Sequence, residues 1–342
     1  MKKRIIGVDL ALNSIQVCKY TNNKVHSNSE MTPSKFTDFL ANLTASTIIF
    51  ESCSGAHYWC QLAKSLGHEA LLISPRLVMA VRQNQKTDKN DALAIIQAAL
   101  LPDVKFVAGK NHQQQQIQSM LKLREQCIKQ KTAIKNQLTS LCREFNIRPG
   151  RSKECLISTI EFVLEDAENG FSFEFRKMLQ SSLALYLCLH ETIESYDHAL
   201  EKWVNDTPDC AKLMKIEGIG ILNALHLYIN LLSGELGHFK QGKDASACIG
   251  LMPVQYSTGG KVRLGAIGKR KSTSLRSLLI TGAMSVVQQV VKREARTKKE
   301  AWLKALIERR GKKCAAVALA NKNVRTAFAL MTNKTEYKLE LM

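Results

Sequence analysis

The stretch Lys86-Thr87-Asp88-Lys89-Asn90-Asp91-Ala92-Leu93-Ala94-Ile95-Ile96 decides how this chain is read. Two carboxylates three apart open an apolar run, which places both on one face of a helix at its N-terminus. Two more acids end apolar, strand-like runs upstream. Asp9 closes Ile5-Ile6-Gly7-Val8, and Glu51 closes Thr47-Ile48-Ile49-Phe50. Carboxylates at the C-terminal ends of two strands and on one helix face can converge on a divalent metal. Such hard oxygen ligands suit Mg²⁺, or Mn²⁺ in its place, and a pair of these ions serves phosphodiester chemistry. The plainer reading is that Asp88 and Asp91 favour a helix N-terminus and that Asp9 caps a turn. A chance coincidence of all four is harder to accept than any one of these.

Outward from that stretch, residues 1–105 read as a unit. Strands are expected at 4–10, 14–20, 24–30, 46–52 and 69–74, and helices at 33–43, 56–66 and 88–100. Thr32 and Pro33 form an N-cap and first helical position. Three strands followed by alternating helices and strands describe an α/β ribonuclease H-like fold. Cys53, two residues past Glu51, reads as a small buried side chain rather than a nucleophile.

Charge points to the substrate. The 342 residues hold 49 Lys and Arg against 30 Asp and Glu, a net +19. Residues 1–105 carry +4, 106–150 carry +6, 151–259 carry −6 and 260–342 carry +15. A chain this basic meets nucleic acid or an anionic membrane surface. No apolar run approaches the ~20 residues of a membrane helix, and no signal-peptide pattern opens the chain. The ten cysteines show neither Cys-x-x-Cys nor zinc spacing, so they read as reduced thiols in the cytoplasm.

Residues 106–207 read as helical. A long helix over 111–147 has near-heptad apolar positions at Ile117, Leu121, Ile128, Leu138, Leu141 and Phe145, interrupted by Arg124 and Lys131. That pattern predicts an imperfect coiled coil or helix hairpin. The run Gln113–Gln116 reads as a solvated helix start. A turn is expected near Asn169-Gly170, then a further helix over about 175–205.

Two motifs mark residues 208–342. In Ile216-Glu217-Gly218-Ile219-Gly220-Ile221, a Gly-x-Gly turn between helices can present backbone N–H groups to a phosphate. A tight interhelical turn explains Gly218 and Gly220 equally well. The second motif runs from Gly250-Leu251-Met252-Pro253 through Tyr256-Ser257-Thr258-Gly259-Gly260-Lys261-Val262-Arg263 to Lys269-Arg270-Lys271 and Arg276. Hydroxyls, glycines that allow close backbone approach, and repeated cations would suit a strand-transfer site. From the residues alone, a basic loop that binds DNA without chemistry has the better claim.

The strings Ile6-Gly7-Val8-Asp9-Leu10-Ala11, Phe50-Glu51-Ser52-Cys53 and Lys86–Ala94 resemble the DEDD transposases of bacterial insertion sequences. That family includes the pilin-gene invertase Piv, and its N-terminal domain is RuvC-like. Gly311-Lys312-Lys313 and a helix over 314–330 also resemble the family's C-terminal end. The resemblance implies a catalytic domain at 1–105, a helical coiled-coil linker that supports multimerisation at 106–207, and a C-terminal transposase domain at 208–342. It implies two Mg²⁺ held by Asp9, Glu51, Asp88 and Asp91, a dimer or tetramer with a composite site, and a non-coding guide RNA pairing with DNA. It implies a bacterial protein of the cytoplasm and nucleoid. The family's serine nucleophile falls at Thr258, beside Ser257, a departure that leaves both open. Two alternatives stand beside transposition: a Piv-type invertase, and a RuvC-like structure-specific nuclease with no covalent intermediate. A nucleic-acid-binding protein with a decayed metal site is a third, weakened because all four acids are present.

Overall fold

Alternate side chains of the first strands go to opposite faces, and the two faces have different fates. The computed structural model describes residues 4–83, 85–107, 109–232, 239–268 and 273–341. Strands β1 (Ile5–Leu10), β2 (Ile15–Thr21), β3 (Lys24–Met31), β4 (Thr47–Glu51) and β5 (Glu69–Ile73) form one sheet in the order β3-β2-β1-β4-β5. β1, β2 and β3 pair antiparallel, while β4 runs parallel to β1 and β5 parallel to β4. The β2–β3 turn uses Asn22 and Asn23, both at positive φ (53° and 58°), the pairing that matches the strand twist in a two-residue hairpin. The expected N-terminal mixed α/β sheet is therefore present.

One face of the sheet carries Ile6, Val8, Ile15, Val17, Ile48, Phe50 and Leu72, buried with Phe36 and Leu40 of α1 (Pro33–Asn42) and Ala56, Cys60 and Ala63 of α2 (Ala56–Ser65). Thr32 caps α1 by accepting from the Lys35 N–H at 3.4 Å. The other face carries Ile49 and Ile73 against α3 (Pro75–Val81) and α4 (Asp88–Ala99). The α3 helix is an addition to the expected elements. Pro75 starts it, and seven residues are too few to show a helical period.

By compactness the chain falls into two units, residues 1–115 with 227–342, and residues 116–226. Within the second lie most of α5 (His112–Glu144), α6 (Lys153–Glu165), α7 (Phe173–Asn205) and α8 (Pro208–Met214). Leu138, Cys142, Leu156, Ile160, Val163, Leu179, Leu183 and Tyr186 share one core there. Arg124, the interruption in the α5 heptad, forms a forked ion pair with Asp197 of α7. The Gln113–Gln116 run opens α5 as expected, with Gln113 and Gln116 exposed, but Gln114 departs from a solvated start. Gln114 is buried and exchanges hydrogen bonds with Asn111, its Oε1 accepting from the Asn111 N–H (3.0 Å) and its own N–H donating to Asn111 Oδ1 (2.8 Å). That is a capping box with Asn and Gln in the two roles.

The unit boundary falls within α9 (Ile221–Leu232), and the first unit also holds α10 (Gly242–Ile249), the two-stranded ribbon β6 (Pro253–Gln255) and β7 (Leu264–Ile267), α11 (Thr273–Val290) and α12 (Lys298–Asn333). Leu275, Leu279, Ala283 and Val287 recur every four residues and are buried, a single stripe along α11. Gly311 interrupts α12 with φ 79° and ψ 164°. Its two limbs fold back together, and Lys322 Nζ of the second lies 4.6 Å from the Trp302 ring centroid of the first.

Candidate active site

Strand alternation and one glycine put the acids of the N-terminal sheet on the side that α4 covers. Val8 pairs with Phe50, so Asp9 and Glu51 end neighbouring parallel strands. Asp9 lies on the Gly7 face and Glu51 on the Ile49 face, the side that α4 covers. A Cβ added to Gly7 would stand 2.4 Å from the Ala92 carbonyl oxygen and 2.6 Å from Ile96 Cγ1. Only glycine lets α4 lie this close to β1. Thr87 caps α4, its hydroxyl accepting from the Asn90 N–H at 3.3 Å, and this starts the helix with Asp88 and Asp91 in its first turn.

The carboxyls feel one another's charge. The Asp9 carboxyl is held above its ordinary range first by burial, then by Asp91 and Asp88. Glu51 is raised first by burial, then by Asp9 and Asp91, with Lys86 and Arg82 pulling the other way. Like charges so placed stabilise one another's neutral forms, and a divalent cation would reverse this. Asp91 is buried and accepts from Arg82 Nη1 at 2.7 Å. Among the described residues no three His, Cys, Asp or Glu side chains are gathered in a metal-holding arrangement. The donor set itself, all oxygen and mutually repelling, fits Mg²⁺ or Mn²⁺. The Cys53 thiol is pushed up by burial, then by Glu51 and Asp9, which keeps it protonated and a poor nucleophile.

The Ser257/Thr258 motif, expected as an extended basic loop, is the tip of the β6–β7 ribbon. Gly259 and Gly260 both take positive φ (56° and 75°), the two-residue turn that needs them. The Tyr256 N–H donates to Arg263 O at 2.8 Å and the Lys261 N–H to Thr258 O at 3.1 Å. Residues opposite each other on a ribbon point the same way. Thr258 therefore shares a face with Lys261, Tyr256 and Arg263. Ser257 is on the other face, where its Oγ accepts from Gln255 Nε2 at 2.7 Å. The tip is exposed throughout. Arg276 turns inward, donating to Gly268 O at 2.5 Å, and so ties down the ribbon's base. Lys269, Arg270 and Lys271 lie outside the described residues.

In the other unit, Gly218 takes φ 83° and its carbonyl accepts from Asn223 Nδ2 at 3.3 Å. The Gly220 carbonyl accepts from the Ala224 N–H at 2.9 Å, which makes it the residue that starts α9. Four supporting residues escaped the sequence reading: Gly7, Arg82, Gln16 and Asn28. Gln16 pairs with Asp9 across β1–β2, donates to Asn28 Oδ1 at 2.7 Å, and Asn28 donates to Lys89 O at 2.8 Å. That chain ties the sheet to the first turn of α4. The only sequence signal was Gln16, a polar residue set between Ile15 and Val17.

Known proteins resemble the chain along most of its length. Residues 210–300 match the model described as "Transposase IS116/IS110/IS902 family", and residues 6–147 match a second model described as a transposase. The chain is 34% identical to the transposase for insertion sequence element IS1111A of Coxiella burnetii, over 98% of this chain and 91% of that protein. It is 33% identical to a probable family 20 transposase of Pseudomonas aeruginosa, over 97% and 98%. It is 24% identical to the pilin gene-inverting protein of Moraxella lacunata, over 88% and 91%.

Proposed function

The chain belongs to the IS116/IS110/IS902 family of transposases, and from that premise we propose that it cuts and rejoins DNA of an insertion sequence with two cooperating parts. The first is the carboxylate cluster of Asp9, Glu51, Asp88 and Asp91, in a ribonuclease H-like, RuvC-like domain. The sheet order β3-β2-β1-β4-β5 with its three antiparallel strands supports that reading. These residues would hold two Mg²⁺, whose chemistry when bound is to activate the attacking oxygen and neutralise charge on the leaving one. The second part is the ribbon tip. The single observation that carries the proposal is the pairing of Thr258 with Lys261 and of Tyr256 with Arg263, which puts the aliphatic hydroxyl of Thr258, the Tyr256 phenol and two cations on one exposed face.

In this reading Thr258 is the nucleophile. Its oxygen forms a bond to phosphorus as the bond to the departing deoxyribose oxygen breaks, and that oxygen takes up a proton. Lys261 and Arg263 sit where negative charge grows. Ser257, on the opposite face and engaged by Gln255, is the support. The helical residues 106–207 join protomers as a coiled coil, in a dimer or tetramer whose sites combine a carboxylate cluster with a partner's ribbon. Gly218 and Gly220 hold a DNA backbone, as do the cations at 269–271. A guide RNA supplies sequence specificity by base pairing, and the +15 of residues 260–342 is surface that fits it. Relatedness to a pilin gene-inverting protein favours inversion as the second reading.

The test is nicking of supercoiled DNA carrying the element's own ends, with its flanking transcript and Mg²⁺. Asp9→Asn and Glu51→Gln should each lower cleavage by at least ~10²-fold. Cleavage that persists in both variants, or runs equally well in chelator, would remove the carboxylates from the reaction.

A further inference from the structure

An open groove of about 1230 Å³ runs along the C-terminal helices. One wall is the base of the β6–β7 ribbon, at Pro253 and Gly265–Ile267, and the other is α12. Its floor is largely apolar. Lys240, Lys313, Lys322 and Arg325 line it, and among the described residues no Asp or Glu does. Trp302 also lines it, 37% exposed, with Lys322 against its ring. A fold that leaves an indole half in water beside four cations spends that surface on something anionic that also has flat apolar faces.

We propose that this groove binds unpaired DNA, a base taking the place of Lys322 on the Trp302 ring and phosphates lying on Lys240, Lys313, the released Lys322 and Arg325. Cations that track a backbone, combined with an aromatic platform, are what single strands require. A duplex hides its base faces and could use only the cations. A folded protein partner would need acidic complementarity and would have no particular use for the indole face. The choice of DNA over RNA follows from continuity. The groove's wall is the base of the ribbon whose tip bears Thr258, so a strand lying in it flanks the phosphodiester that is attacked. This rests on the reading above for its DNA, and on the groove alone for its strandedness.

Binding is measured without chemistry, so failure here is separable from failure of the catalytic proposal. The full-length protein is titrated into a fluorescein-labelled oligothymidylate, a DNA duplex of equal length and an oligouridylate, following anisotropy. Trp302→Leu should weaken oligothymidylate binding roughly tenfold or more, the scale of base–aromatic stacking. Trp302→Phe should restore most of it, and duplex affinity should change less than twofold in both variants. Independently, oligothymidylate should slow alkylation of Cys314, an exposed thiol in the groove, while leaving exposed Cys155 and Cys188 unaffected in the wild-type protein. Three results would overturn the inference. They are unchanged oligothymidylate binding by Trp302→Leu together with unprotected Cys314, equal losses for single strand and duplex, and Trp302-dependent binding that prefers oligouridylate.

Discussion

At the scale of single residues, Gly7 and Asp9 do the most. Gly7 is the contact point between α4 and β1, and a methyl group there would meet the Ala92 carbonyl at 2.4 Å. Gly7→Ala should cost ~1–3 kcal/mol of stability, as overpacking does, and should lower cleavage as well, because α4 carries Asp88 and Asp91. A thermal melt and a nicking assay check both effects. Wild-type values in both would mean that the close approach does not matter. Asp9 and Glu51 carry a pH signature. Their folded carboxyls titrate above the ordinary values of 3.8 and 4.5, so the folded state holds protons that the unfolded state has released. Their ionisation therefore removes stability as pH rises from about those values through the raised ones. At neutral pH without divalent ions, Asp9→Asn should melt a few degrees above wild type. Excess Mg²⁺ should raise the wild-type melting temperature and leave Asp9→Asn unmoved. A variant no more stable than wild type, or equally stabilised by Mg²⁺, contradicts mutual repulsion at this site. The spacing Lys86-Thr87-Asp88-x-x-Asp91 was open to reading because helix geometry and N-capping are local. Gly7, Arg82, Gln16 and Asn28 were not, because each acts through a partner distant in sequence.

At the scale of elements, the ribbon and α12 teach different lessons. Residues 253–267 hold three glycines, three hydroxyls and two cations, a composition that reads as a loop. A three-residue and a four-residue strand are too short to show alternation against that background. Once paired, they put Ser257 and Thr258 on opposite faces, where sequence alone left both open. Gly259 and Gly260 at positive φ set that pairing. Val at both positions should cost ~1–2 kcal/mol each in the local turn and greatly lower strand transfer. Asn at both, which tolerates this turn, should keep most of it, as a strand-transfer assay on the two double variants would show. Equal activity of the Val and Asn pairs would separate the turn from function. The α12 helix begins with a fork. Glu300 accepts from Arg293 through both oxygens, at 2.9 and 2.6 Å, and from the Arg296 N–H at 2.7 Å. The Arg293 hydrogen bonds hold its carboxyl below the ordinary 4.5. Its contribution is present above that value and fades as pH falls below it, opposite in sign to Asp9. Glu300→Gln should lower the melting temperature at neutral pH, and this difference from wild type should shrink in acid.

At the scale of the molecule, charge and connectivity divide the labour. The +15 of residues 260–342 is gathered on the ribbon, its following basic run and α12, while the −6 of residues 151–259 falls mostly on α6 and α7. The basic character of the C-terminal quarter was legible from these totals because charge adds up whatever the fold. The grouping of residues 1–115 with 227–342 was not, because nothing local records which distant segments pack together. The central claim is that one hydroxyl of the ribbon works with the N-terminal carboxylates. Covalent trapping tests it most directly. The protein is incubated with Mg²⁺, DNA bearing its element ends and the flanking transcript, and then denatured, and DNA that stays attached is quantified for wild type, Thr258→Ala, Ser257→Ala and Asp9→Asn. The account predicts an adduct in wild type, retained in Ser257→Ala and lost in both Thr258→Ala and Asp9→Asn. Nicked DNA that depends on Asp9 but never carries protein would contradict it, leaving a nuclease with no covalent intermediate.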